Sequence, residues 1–223
     1  MVSASGEASA SPLHFRRRDM PVVIYDPVYE KHVRAERERL FPNPRDEVWD
    51  GVLVMAPLAN NEHQLLVMGL CYAFASVVDR DGGDAVLPGC NVSDRDRGWT
   101  ENYREPDVAV YLASNSAKNS DTHWVGGPDV AVEVVSPGEN PRLKLDFYAQ
   151  VSTRELLIVE RDPWAVERYQ LRGGKLVLVE TADAANGTVL TSSVLPLTFE
   201  LRAGATRPVI RIVHTQTGQI WTA

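Results

Sequence analysis

Hydrophobic and polar positions change their spacing along the chain, and these changes mark the predicted elements. Between residues 26 and 40 a few apolar residues stand among many charged ones, which predicts a short surface helix. Two apolar-rich runs, 47–49 and 52–55, flank the pair Asp50-Gly51, which is typical of a tight β-hairpin. The ordered part of the fold is therefore predicted to open with a helix and a hairpin.

An apolar helix and two β-branched strands form the predicted centre of the fold. Residues 65–75 are apolar on nearly all sides, and Asn60 or Asn61 can cap a helix there, which predicts a helix buried against a sheet. The runs 107–112 and 129–135 are rich in valine and bounded by prolines, as central strands are.

The second half of the chain is predicted to be mostly strand. A helical stretch at 142–151 precedes an apolar run at 156–160, the order found in a βαβ unit. The runs 165–171 and 175–180 flank a Gly-Gly turn and predict a second hairpin, and 208–214 has the pattern of a further strand. We predict an α/β (α+β) fold with a mixed central β-sheet, flanking helices and added β-hairpins.

Length and composition favour one domain. A chain of 223 residues with 44% hydrophobic content buries a full core, so we predict a single domain over 21–223. Residues 1–20 are small and polar with an arginine run and lack the apolar stretch of a secretory signal, which predicts a flexible tail. The chain has no apolar run as long as a membrane span, so we expect no membrane partner and a cytoplasmic location.

Charge and cysteine content narrow the function classes. A net charge of −7 argues against a protein that coats nucleic acid with a uniformly basic surface, although a local basic rim is compatible with it. Two cysteines without ligand spacing exclude a disulfide scaffold and a cysteine zinc site. We expect both to be buried free thiols.

Two carboxylates stand where their neighbours disfavour charge. Glu133 interrupts an apolar strand, and a buried charge is costly unless a cation or a hydrogen-bond donor compensates it. Asp107 opens the preceding strand, so the two side chains converge if these strands pair. Hard cations such as Mg²⁺ take oxygen ligands and keep several waters, so two carboxylates and a backbone carbonyl, that of Val134, suffice for a site.

A lysine follows at the next predicted helix. Lys144 lies 11 residues after Glu133 and can add an ammonium charge near the same site. Each residue also has a purely structural interpretation. Asp107 can be a turn residue beside a proline, Glu133 the partner of an arginine, and Lys144 a solvated side chain.

Together these residues resemble a known family. The runs GGPDVAVEVVSPGENPRLKLDFYAQ and ELLIVERDPWAVERYQLRGGKLVLVE are similar to the Uma-type endonucleases of the PD-(D/E)xK, or restriction-endonuclease-like, superfamily. EVWDGVLVMAP, YREPDVAVY and SSVLPLTFEL extend the resemblance over most of the chain. The element Glu-Val-Val-Ser-Pro with a downstream Lys-x-x-x-Tyr is fairly specific, whereas single Pro-Asp pairs are not.

The resemblance implies a phosphodiesterase site that depends on Mg²⁺ or Mn²⁺. By this comparison Asp107 and Glu133 match the two metal-binding carboxylates of the motif. The usual lysine position is Val135 here, and the resemblance implies that Lys144 on the next helix takes its role. The first hairpin and helix lie near the site in similar folds, which makes Glu47 and His63 secondary candidates. For His63 a capping or packing role is the alternative.

The chain departs from the family pattern in one segment. Between Pro137 and Lys144 the sequence GENPRL is shorter than the usual family segment and lacks its aspartate, with Glu139 or Asn140 as substitutes. This departure puts the position of Lys144 in doubt. The second Pro-Asp, at Asp129, is only four residues before Glu133, and we interpret it as a strand-opening residue.

Two functional hypotheses follow. The first is a metal-dependent endonuclease that hydrolyses phosphodiester bonds in nucleic acid, with DNA as the expected substrate and a homodimer as the expected assembly. The second is a nuclease-fold protein that has lost catalysis and serves as a binding or assembly module. A nuclease acting on RNA or on a branched structure shares the first site and differs only in substrate.

Overall fold

A computed structural model describes residues 22–24, 26–40 and 45–223. The tail predicted at residues 1–20 lies outside these residues. The helices are α1 (Pro27–Leu40), α2 (Asn61–Ala75) and α3 (Leu145–Gln150), and α1 confirms the predicted surface helix. Among the described residues, none of the helices combines the length and apolar character needed to cross a bilayer.

Strands dominate the described part of the chain. In order they are β1 (Val22–Ile24), β2 (Glu47–Trp49), β3 (Val52–Met55), β4 (Ala85–Leu87), β5 (Val92–Ser93), β6 (Tyr103–Arg104), β7 (Val108–Tyr111), β8 (Lys118–Asn119), β9 (Trp124–Val125), β10 (Val130–Val134), β11 (Glu155–Arg161), β12 (Trp164–Arg172), β13 (Lys175–Asp183), β14 (Val189–Thr191), β15 (Leu197–Arg202), β16 (Val209–His214) and β17 (Ile220–Thr222). They form three sheets, with the orders β1-β3-β2-β6-β5-β9-β8, β13-β12-β11-β10-β7-β4 and β14-β15-β16-β17.

The six-stranded sheet is the central one, and it is mixed. β10 runs parallel to β11 and antiparallel to β7, with Val132 opposite Val108. The connection from β10 to β11 is a crossover that contains α3, which is the common arrangement for a parallel pair. The predicted βαβ unit is therefore confirmed.

The two faces of the central sheet pack against different helices. Valines of β7 and β10, including Val108 and Val132, join Leu66 of α2 in one hydrophobic core. On the other face, Ala131 packs in a second core with Phe147 of α3. Neighbouring strand residues point to opposite faces, so α2 and α3 cover the sheet from two sides. The predicted mixed sheet with flanking helices is confirmed.

The first hairpin is built by its turn residues. Asp50 and Gly51 have φ angles of 47° and 82°, and two positive φ angles are the requirement of a type I′ turn. Trp49 pairs directly with Val52 across this two-residue loop. The predicted hairpin is confirmed, and it delivers Glu47 to the region beside the central sheet.

Helix α2 begins where the sequence predicts but is not buried all round. The Asn60 side chain accepts a hydrogen bond of 2.9 Å from the backbone N–H of His63 and caps the helix. Leu65, Met68 and Tyr72, however, are between 65% and 68% exposed. The prediction of a helix buried against a sheet is confirmed, since Leu66 and Phe74 of α2 pack in the core with the central strands. The three exposed side chains share the opposite side of the helix, although the sequence is apolar nearly all round.

Candidate active site

The Glu133 carboxylate lies inside the protein, on the face of β10 that packs against α3. Its Oε1 accepts a hydrogen bond of 2.5 Å from the Tyr148 hydroxyl. Burial raises the pKa of Glu133, and the attraction of Lys144 opposes that rise. A carboxylate in such a place needs compensating charge, as its position in an apolar strand predicts.

Lys144 supplies part of that charge. It closes a 3-10 turn, Pro141–Lys144, directly before α3. Its Nζ lies 2.9 and 3.1 Å from the two Glu133 oxygens and 2.8 Å from Oε1 of Glu47. Burial works to lower the pKa of Lys144, but the negative charges of Glu133 and Glu47 raise it, so the lysine stays protonated.

Glu47 is held by its own strand neighbours. Its Oε1 accepts a backbone hydrogen bond of 2.9 Å from Glu105, and its Oε2 accepts one of 2.7 Å from the Trp49 indole. With Lys144 as a third partner, Glu47 has little freedom to turn. Glu47 therefore connects the seven-stranded sheet to Glu133 through the ammonium group of Lys144.

Asp107 directly precedes β7 at the same end of the sheet. Its Oδ2 accepts a hydrogen bond of 2.7 Å from the backbone N–H of Val134, the residue after Glu133. Its Oδ1 lies 3.2 Å from Nε2 of His63 and 3.3 Å from a guanidinium nitrogen of Arg45. Within the described part of the chain, the buried Nδ1 of His63 has no hydrogen-bond partner. One Asp107 oxygen is thus fixed by the backbone, while the other meets two side chains.

These residues line one cavity of about 470 Å³ between the first hairpin, α2 and the segment after β10. Its ionisable lining consists of the carboxylates of Glu47, Glu105, Asp107, Glu133 and Glu139, the cations of Arg37, Arg45 and Lys144, and His63. Arg37 is neutralised by Asp46 through two hydrogen bonds of 2.6 and 2.7 Å. Negative charge is therefore in excess, which favours a bound cation.

The shortened segment after β10 still contributes an acidic side chain. Glu139 accepts a hydrogen bond of 2.9 Å from the Ser136 backbone, and burial raises the pKa of its carboxyl. Asn140 instead caps the 3-10 turn by accepting a bond of 3.2 Å from Arg142. Of the two substitutes considered for the family aspartate, Glu139 is the charged one at the cavity.

A metal at this site has few side-chain ligands to use. Among the described residues, no group of three or more His, Cys, Asp or Glu side chains is arranged to hold a metal ion. A hydrated Mg²⁺ keeps several waters, so it would need only a few protein oxygens, and Asp107, Glu133 and the Val134 carbonyl are the ones that would hold it. The donor set is chemically suitable for a hard cation and unsuitable for a closed zinc site.

Several residues of the site had no predicted role. Tyr148 stands four residues after Lys144, and this spacing on one helix face was the available signal. Glu105 directly precedes the Pro106-Asp107 pair, and this position is a weaker sequence signal. Arg45 lies 62 residues before Asp107, and nothing in its local sequence indicates their contact.

Arg104 joins the first sheet to α3 behind the site. Its guanidinium carbon lies 4.6 Å from the ring centre of Trp49 and 4.2 Å from that of Phe147. Its Nη1 donates to the Val48 carbonyl at 3.0 Å and to Asn102 at 3.1 Å. A desolvated cation between two aromatic rings contributes on the order of 2 kcal/mol, so this contact fixes the sheet that carries Glu47 against α3.

Comparisons with known proteins agree with this geometry. A solved structure, "a putative nuclease belonging to DUF820 from Anabaena variabilis ATCC 29413", matches with a TM-score of 0.52 and 15% identity over 70% of this chain and 87% of the other. This likeness shows a shared fold. No curated protein matches the chain. The Uma2 family model, described as "Putative restriction endonuclease", matches residues 33–204. The chain therefore belongs to the Uma2 family of nuclease-fold proteins.

Proposed function

We propose that the protein is a divalent-metal-dependent endonuclease that hydrolyses phosphodiester bonds in DNA. The observation that carries the proposal is the Glu133 carboxylate, which is buried in a central strand within hydrogen-bond distance of Lys144 and one residue from the Asp107 contact. Membership of a family described as restriction endonucleases supports nucleic acid as the substrate. A buried acid beside a lysine is costly to keep, so a catalytic role explains it better than packing does.

Asp107, Glu133 and the Val134 carbonyl are the residues proposed to hold Mg²⁺ or Mn²⁺. The cation would supply Lewis acidity toward a phosphoryl oxygen and toward the attacking water. The excess of carboxylates at the cavity supports this assignment, because a cation relieves their mutual repulsion.

The protein side chains have separate roles in this proposal. The ammonium of Lys144, shielded from solvent, stabilises the negative charge that develops on the phosphoryl oxygens. Tyr148 and Glu47 are positioning residues, since Tyr148 orients Glu133 and Glu47 orients Lys144. His63 holds Asp107 from the side of α2.

Plasmid cleavage tests the proposal. Supercoiled DNA is incubated in Mg²⁺ or Mn²⁺ with the native protein, Asp107→Asn, Glu133→Gln and the control Asp146→Asn, an exposed acid on α3. We expect each site variant to lose on the order of a hundredfold in rate, the scale of removing one strong transition-state contact, and the control to keep it. Equal cleavage by all four proteins contradicts the assignment.

One observation favours a second candidate, a nuclease-fold binding module without catalysis. Both carboxylates already have cationic partners in the protein, Arg45 for Asp107 and Lys144 for Glu133. Calorimetric titration with Mn²⁺ separates the two candidates, because a protein that binds no metal at millimolar concentration cannot perform this chemistry. Single-stranded DNA and RNA in the same cleavage assay identify the substrate class.

A further inference from the structure

The three cations that the described residues place at the cavity are held with different strength. Arg37 makes a bidentate pair with Asp46, and Lys144 contacts three carboxylate oxygens with its side chain only 12% exposed. Arg45 makes two single contacts, at 3.2 Å to Glu105 and 3.3 Å to Asp107, and its side chain is 36% exposed. Longer contacts and greater exposure weaken an ion pair. Arg45 is therefore the cation that leaves most easily.

Arg45 covers the Asp107 oxygen that matters for a ligand. Oδ2 of Asp107 is committed to the backbone N–H of Val134, so Oδ1 is the oxygen that remains for a cation in the cavity. Arg45 and His63 approach this same Oδ1. The guanidinium of Arg45 carries a positive charge, so it competes with a metal ion for Oδ1.

The position of Arg45 depends on a glycine beneath it. A Cβ atom built on Gly89 would lie 2.6 Å from a terminal nitrogen of Arg45 and 2.9 Å from Oε1 of Glu105. Gly89 also has a φ of +70°, which disfavours other residues. The backbone therefore leaves room for the guanidinium beside the two acids.

We propose that Arg45 is a removable counter-ion, which occupies Asp107 until a divalent cation displaces it and which then binds the substrate phosphate. This inference rests on the proposed metal-dependent function. Displacement frees a planar group with paired N–H donors at the cavity, and such a group matches phosphate oxygens in charge and geometry. Arg45 thereby links arrival of the metal to capture of the substrate.

Calorimetric titration of the full chain with Mn²⁺ tests the competition. Arg45→Gln removes the competing charge, so we expect it to bind Mn²⁺ about fivefold more tightly than the native protein, the scale of one weak ion pair. Arg45→Lys keeps the charge and is expected to retain the native affinity. The control Arg154→Gln breaks the Arg154–Asp129 pair outside the cavity, and its Mn²⁺ affinity should not change.

A second readout distinguishes the proposal from a purely structural role. In the cleavage assay at saturating Mn²⁺, Arg45→Gln should raise KM for DNA, because the phosphate contact is lost. Tighter metal binding together with weaker substrate binding is not the result of general misfolding. If Arg45→Gln binds Mn²⁺ no more tightly than the native protein, the counter-ion role is wrong and the nuclease proposal stands. If the native protein does not bind Mn²⁺, both proposals are wrong.

Discussion

Asp107 and Asp129 each stand directly before a strand in the same five-residue run, Pro-Asp-Val-Ala-Val, yet they have different surroundings. Asp129 is saturated by the backbone N–H of Leu112, the Asn115 amide and the guanidinium of Arg154, each at 2.8 Å. Asp107 gives one oxygen to the backbone and turns the other toward a cavity.

The antiparallel pairing of β7 and β10 produces this difference. Asp129 lies at the start of β10 and Glu133 near its end, so β7 begins beside Glu133 and brings Asp107 there. The same local sequence thus has a structural role at one end of the strand pair and a proposed catalytic role at the other. What decides the role is the strand partner.

The largest expected effect comes from exchanging the two aspartates for asparagine. Asp107→Asn should lower the cleavage rate on the order of a hundredfold while changing stability little, because asparagine can still accept the Val134 hydrogen bond. Asp129→Asn should leave cleavage per folded molecule unchanged and lower the free energy of unfolding by about 2 kcal/mol, since it removes charge-assisted hydrogen bonds. Urea denaturation and plasmid cleavage measure both quantities. If a fully folded Asp129→Asn protein loses cleavage, the assignment of a structural role to Asp129 is wrong.

The next effect compares the cations at the two ends of the strand pair. Lys144→Met leaves Glu133 and Glu47 buried without their cation, which should cost about 3–5 kcal/mol of unfolding free energy. Arg154→Met breaks a pair in which the arginine side chain is half exposed, and it should cost at most about 1 kcal/mol. Urea denaturation of the two variants gives the comparison. Equal losses would show that the Glu133 end is no more dependent on its cation than the Asp129 end.

The smallest effect is a change in thiol reactivity near Asp107. Both cysteines are free and half-buried, less covered than the predicted buried thiols. Burial and, to a smaller extent, the charge of Asp107 raise the pKa of Cys71 to about 11, while the charge of Arg45 opposes this rise. Burial also raises the pKa of Cys90 to about 12.

Alkylation by iodoacetamide between pH 7 and 10, followed by mass spectrometry, measures this reactivity. Only the thiolate reacts, so at pH 8 we expect Cys71 to react roughly two orders of magnitude more slowly than a free thiol. The rate should rise with pH across the range. Asp107→Asn should speed the reaction of Cys71, whereas Asp129→Asn should not. If Cys71 reacts at the same rate in both variants, the charge of Asp107 does not affect this thiol.

The sequence predicted those parts of the fold that depend on neighbouring residues. Asp50-Gly51 specified the hairpin turn, Asn60 the helix start, and the valine runs the central strands. Each of these signals acts within a few residues, so a pattern in the chain suffices to show it.

Long-range contacts were less accessible. Glu133 could be predicted from the sequence, because a charge in an apolar strand requires a partner. The contact of Tyr148 could have been predicted from its spacing to Lys144. Arg45 could not, since its contact with Asp107 depends on how the first sheet sits against the central one. The exposed side of α2 was missed for a similar reason, because composition does not reveal which face of a helix a sheet covers.

The position of Arg104 between Trp49 and Phe147 affects how the acidic groups of the site are aligned. Glu47 belongs to the seven-stranded sheet and Glu133 to the six-stranded sheet, so the distance between them depends on how these two sheets pack together. On the side away from the cavity, Arg104 packs between the rings of Trp49 and Phe147 and so holds the two parts of the molecule together. The alignment of the acidic groups is thus governed by a guanidinium that hydrogen-bonds to neither of them, and loosening it would misalign the site while leaving every group in the cavity chemically intact.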